Sequence, residues 1–90
     1  MDWTGFDLIH FTLNRPLMVI RGSKGFLACG YIHIEAANQF ADAGAIVKGV
    51  GSFEDMLKTR VAHPGDISVA GRNLGITVGM TGRDVLDKIR

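Results

Sequence analysis

Cys29 is the one cysteine of the chain and its strongest intrinsic nucleophile. A thiol becomes reactive when a base, a cation or a helix N-terminus beside it favours the thiolate, and it then serves as a nucleophile or redox centre. Cys29 lies inside Phe26-Leu27-Ala28-Cys29-Gly30-Tyr31-Ile32, a continuous apolar run in which a free cysteine ordinarily packs as a small hydrophobe. Gly30 argues the other way, because glycine within a strand marks close approach of a ligand or of another backbone. Two expectations follow: a core thiol, or a catalytic Cys29 with Arg83 or His33 stabilising charge.

The second place where chemistry could gather is Gly79-Met80-Thr81-Gly82-Arg83. A helix start, a hydroxyl and a guanidinium converge there, which suits an anion. Gly30, Gly79, Thr81, Gly82 and Arg83 are therefore the candidate binding residues. Structural capping competes with that role, since Thr81 and Asp84 have the spacing of a capping box, with Met80 and Val85 placed as a hydrophobic staple. Gly49-Val50-Gly51-Ser52 also leads into a helix start, but Glu54 and Asp55 would repel a phosphate and themselves complement the helix dipole. His10, His33, His63 and Cys29 share no metal-ligand spacing, so neither a metal nor a cofactor is expected. The serines, histidines and carboxylates form no triad, nucleophile elbow or other catalytic arrangement.

Composition narrows the partners. Ten Lys and Arg stand against nine Asp and Glu, giving a net charge of +1 with the charges scattered singly. No basic run recruits nucleic acid or an acidic membrane surface. No apolar run approaches the roughly 20 residues of a membrane span, and the single cysteine fits a reducing compartment. The expectation is a cytoplasmic protein. Hydrophobic residues make up 47% of only 90 residues, more than one small core accommodates. A homo-oligomer that buries the surplus is expected, together with a small-molecule ligand that the sequence does not name.

The elements that position these residues are legible as one domain over 1–90. Phe6 to Leu13 and Pro16 to Arg21 read as an antiparallel hairpin, the first strand half-buried by its alternation. The apolar run from Phe26 reads as a central strand covered on both faces. Ile34 to Ala43 places Ile34, Ala37, Phe40 and Ala41 on one helical stripe, and Gly44 is expected to end that helix. Residues 45–50 read as a fourth strand, and Ser52 with Asp55 as a capping box opening a short helix. Arg60-Val61-Ala62 offers a short fifth strand. A helix from about Asp66 to Leu74, closed by Gly75, and another from Gly82 to Ile89 complete the chain. Strands first and helices afterwards point to α+β: a mostly antiparallel four- to five-stranded sheet with helices packed on it.

The order of motifs resembles the YunC-like proteins, the domain of unknown function 1805. Lys24-Gly25-Phe26, Cys29-Gly30-Tyr31, Gly49-Val50, Phe53-Glu54-Asp55-Met56-Leu57 and Gly75-Ile76-x-Val78-Gly79-Met80-Thr81-Gly82-Arg83 carry the resemblance over roughly residues 15 to 90. It implies an α/β sandwich around a largely antiparallel sheet and brings no established activity. His33, where an acidic cap is expected in relatives, and His63-Pro64-Gly65 depart from the pattern. The functional expectation is an oligomeric binding or interaction module with its pocket at a subunit interface near Cys29, Gly30 and the Gly79 to Arg83 turn. The alternative is a small enzyme using Cys29.

Overall fold

Strands β1 (Asp7–Thr12), β2 (Pro16–Arg21), β3 (Phe26–Ala28) and β4 (Gly44–Ile46) form one sheet in the order β1-β2-β3-β4, in a computed structural model that describes residues 1–90. The first two pairings are antiparallel and the third, β3 with β4, is parallel. A parallel pair needs a crossover, and helix α1 (Ile34–Gln39) supplies it. Helices α2 (Phe53–Lys58), α3 (Val69–Asn73) and α4 (Gly82–Ile89) follow, with a single 3₁₀ turn, Pro64–Asp66, before α3. The architecture is α+β.

Register decides which residues share a face. Leu8, Ile20, Leu27 and Ala45 are aligned across the sheet, as are Ile9, Val19, Ala28 and Ile46 one residue along. Successive strand residues point to opposite faces, so the first row and the second lie on different sides. The first face carries the main core: Met18, Ile20, Leu27 and Cys29 pack with Met56, Leu57, Val85, Leu86 and Ile89 of α2 and α4. The second is covered by α1 alone, where Ile34 joins Ala28 and Ile46. Beyond the reach of α1, Ile9, Val19, Phe26 and Ile32 border an open trough of about 450 Å³.

The helix termini follow their sequence signals. Thr81 Oγ accepts from the Asp84 N–H, and the Asp84 carboxylate accepts from the Thr81 N–H, completing the capping box. At the end of α3, Gly75 adopts φ +96, Ile76 N–H donates to the Gly71 carbonyl and Gly75 N–H to that of Arg72. That is a Schellman closure. Ser52 accepts from the Asp55 N–H, but the Asp55 carboxylate takes the Gly51 N–H instead of that of Ser52, so this cap is half a box.

Four expectations are corrected. Strand β1 is exposed at every residue rather than half-buried, because it lies at the edge of the sheet, where the contact of His10 with the Phe53 ring of α2 does not cover it. Helix α1 ends at Gln39: Phe40 is 76% exposed and Ala41 takes φ +57, so the chain leaves the helix before Gly44. Gly44 instead opens β4, where any Cβ would strike the Phe26 ring. The fifth strand is a single bridge, Arg60 to Thr81, in which Arg60-Val61 pairs with the turn leading into α4 instead of the sheet.

Candidate ligand site at the ends of the parallel strands

Because β3 and β4 run parallel, both carboxyl ends open onto the same edge, the position at which parallel sheets ordinarily receive ligands. The chain leaves the sheet there in a particular way. Cys29 N–H donates to the Met18 carbonyl at 3.0 Å, extending the β2–β3 ladder by one residue. The Cys29 carbonyl turns away and accepts from the Ile32 N–H at 3.2 Å, closing a tight turn. Met18 N–H would then lose its ladder acceptor, and Cys29 Sγ takes that place at 3.3 Å. The thiol is 4% exposed and belongs to the main core.

Outside this turn lies a cleft of about 400 Å³ bordered by Arg15, Cys29, Gly30, Tyr31, Gly49 and Val50. The hairpin loop and the β3 exit are tied together across it, the Tyr31 hydroxyl accepting from the Arg15 N–H at 3.3 Å. Gly30 would place a Cβ no closer than 3.7 Å to any neighbour, the Cγ of Lys48, so its lack of a side chain leaves open space rather than relieving a clash.

Gly30 also borders a second cavity, of about 220 Å³, on the side of Lys48 and Asp66. Lys48 follows the end of β4, and its Nζ lies 3.3 Å from Asp66 Oδ1. The lysine side chain is 59% exposed and that of the aspartate 10%. Asp66 is fixed by its loop: Asp66 N–H donates to the His63 carbonyl, and Arg72 donates to that of Pro64. Ser68 behind it is fully buried, its N–H donating to the Gly44 carbonyl and its Oγ accepting from the N–H groups of Gly44 and Gly71. Asp66 Oδ2 is buried and no protein group donates to it. An unmet buried acceptor costs about 1–3 kcal/mol when neutral and more when it is charged.

The candidates of the closing motif lie elsewhere. Gly79 adopts φ +92 and its carbonyl accepts from Arg60 at 2.7 Å. The groups of Thr81 are committed to the capping box, and Arg83 is exposed. Gly82 is buried against the Met56 carbonyl and Leu27, so the close packing it permits is within the chain. None of these four residues borders any of the four main cavities. The structure thus brings Cys29 and Gly30 to a cleft and separates them from Gly79, Thr81, Gly82 and Arg83.

Arg15, Tyr31, Lys48 and Asp66 border these cavities without having been among the candidate site residues of the sequence. Their one sequence signal was glycine: Gly30, Gly49 and Gly65 each stand beside one of them. The histidines are dispersed. His10 packs edge-on to the Phe53 ring, while His33 and His63 precede α1 and the 3₁₀ turn without a side-chain cap bond. No three potential metal ligands lie together.

These features define an α+β domain with helices on both faces of its sheet and a cleft at the carboxyl ends of its parallel strand pair. The chain belongs to the family described as Domain of unknown function (DUF1805), whose model matches residues 28–89. The match includes Cys29, Lys48 and Asp66 and leaves out β1 and β2. The fold is similar to a crystal structure described as a protein of unknown function, TA1206, from Thermoplasma acidophilum, with 32% identity and a TM-score of 0.80, covering 94% of this chain and 91% of that one. No curated protein matches the sequence.

Proposed function

We propose that this domain is a cytoplasmic, oligomeric binding module that takes a small molecule at the carboxyl ends of β3 and β4. The observation that carries the reading is the state of Cys29. It is buried in the core, and its sulfur is engaged by the Met18 N–H, which suits a wall of the cleft better than an attacking group. Arg15 and the Tyr31 hydroxyl supply polar anchors for the ligand, and the glycines at 30 and 49 let it approach the backbone. The exposed apolar row along β1 suits a second copy of the chain. Neither nucleic acid nor membrane enters this reading, and no helix of the chain is long and apolar enough to cross a bilayer.

The second reading is a thiol enzyme, favoured by the fact that Cys29 borders the cleft at all. Alkylation separates the two. For a module, iodoacetamide modifies Cys29 slowly in the native protein and rapidly only once denaturant is added. Fast native reaction with a midpoint well below the ordinary thiol value of about 8.5 overturns the binding reading in favour of the enzyme.

A further inference from the structure

Strand β1 ends the sheet with one side of its backbone unpaired. Cys29 N–H donates to the Met18 carbonyl, so Met18 directs its backbone groups to β3, and alternation along β2 directs those of Leu17, Val19 and Arg21 to β1. Their partners across the hairpin are Phe11, Ile9 and Asp7. Leu8, His10 and Thr12 therefore point their N–H and C=O groups away from the sheet, and no residue outside the hairpin bonds to them. Proteins ordinarily blunt such an edge with a lysine, a proline, a bulge or a very short strand. None of these occurs in β1, whose six residues pair with β2 without a break and whose one ionisable side chain apart from His10 is Asp7.

The occupant that suits this edge is β1 of a second copy. Asp7 is already engaged by Arg21, so the edge offers no free charge to an acidic or basic partner, and a second copy brings none against it. A two-fold axis requires the outward-facing residues of both strands to meet one another. The register with His10 opposite itself pairs Leu8 with Thr12 in both directions, giving three bonded pairs, the most that this strand allows. It also sets Ile9 opposite Phe11 of the second copy, side chains that are 38% and 60% exposed in one chain, as an aromatic–β-branched pair. Moving the axis by one residue sets Phe11 opposite Asp7 in one direction and runs past the end of β1 to Asn14 in the other. We propose that two copies join β1 to β1, antiparallel and with His10 opposite His10, in one continuous sheet of eight strands, four from each copy. This rests on the oligomeric part of the proposed function and adds to it the surface, the partner and the register.

The test is amide hydrogen exchange of the full chain at high and low protein concentration, with light scattering and two cysteine variants beside it. The N–H groups of Leu8, His10 and Thr12 should exchange roughly tenfold or more slowly in concentrated protein, approaching those of Ile9 and Phe11, and should lose that protection on dilution. Proline is tolerated on an edge strand where its missing N–H faces outward, so His10→Pro should keep the fold and give the 9.7 kDa of one chain. His10→Cys should form a disulfide between copies on oxidation, the opposed Cα atoms of a bonded pair being about 5.5 Å apart, whereas Leu8→Cys should not. A dimer that persists in His10→Pro, or one whose Leu8, His10 and Thr12 amides exchange freely, overturns the edge pairing and leaves the oligomer standing on another face. Cross-linking through Leu8→Cys as readily as through His10→Cys overturns the register. A parent protein that is monomeric at every concentration overturns both this pairing and the oligomeric reading on which it rests. Should His10→Pro fail to fold, exchange in the parent still decides.

Discussion

Replacing Cys29 by alanine removes the acceptor of the Met18 N–H as well as a buried sulfur. An unmet buried donor costs about 1–3 kcal/mol, so Cys29→Ala should lower stability by that order in urea denaturation. Cys29→Ser keeps an acceptor and should lose less. Equal losses in the two variants would show that packing alone, not the hydrogen bond, holds the thiol in place. Gly30→Ala, by contrast, meets open space at a backbone angle that other residues adopt, and its stability should match or slightly exceed that of the parent. At the other end of the molecule, the Thr4 hydroxyl and N–H both donate to Asp2 Oδ1, at 2.7 and 2.9 Å, and hold that carboxyl below its ordinary value. A depressed folded pKa means that the turn's contribution is intact above the ordinary carboxylate value and is lost as pH falls through the lower folded one. The Thr4 amide resonance should report this on acidification, and its indifference to pH in that range would contradict the assignment.

At the scale of elements, the caps differ in what they hold. Thr81 serves one helix start at a half-buried position, and Thr81→Ala should cost about 1 kcal/mol. Ser68 is fully buried and its single oxygen serves two N–H groups, one in β4 and one in α3. Ser68→Ala leaves both without an acceptor and should cost clearly more than Thr81→Ala, which paired thermal melts would decide. Gly82→Ala should be the most damaging of the three, because the new methyl meets the Met56 carbonyl, a backbone atom that cannot step aside. The capping box at Thr81 and the Gly75 closure were plain in the residues because both are built within a few positions of one another. The end of α1 was not. Its stripe continued through Phe40 and Ala41 in the sequence, yet the chain must reverse there to bring Gly44 alongside Phe26, a demand made by sheet pairing and invisible to local periodicity.

At the scale of the molecule, the two faces of the sheet are unequally covered. The face under α2 and α4 holds the main core, while the other has only α1 and leaves Ile9, Phe11 and Leu13 exposed. Phe11 is 60% exposed, an arrangement that a second copy of the chain would relieve. Light scattering should therefore give a mass above the 9.7 kDa of one chain, and Phe11→Asp should return it toward that value without unfolding the protein. A parent protein that is already monomeric at micromolar concentration would remove the oligomer from the proposed function. The sequence by itself determined the hairpin, the helix caps and the α+β class, because these follow from near-neighbour chemistry and from the order of the elements. It also carried the motifs of the family. Only the tertiary structure decided that β3 and β4 pair in parallel, that Cys29 Sγ replaces a carbonyl in the ladder, and that Lys48 and Asp66, far apart in the chain, meet beside Gly30. Those arrangements depend on which strands become neighbours, and that choice is made by burial of whole faces, not by any local run of residues.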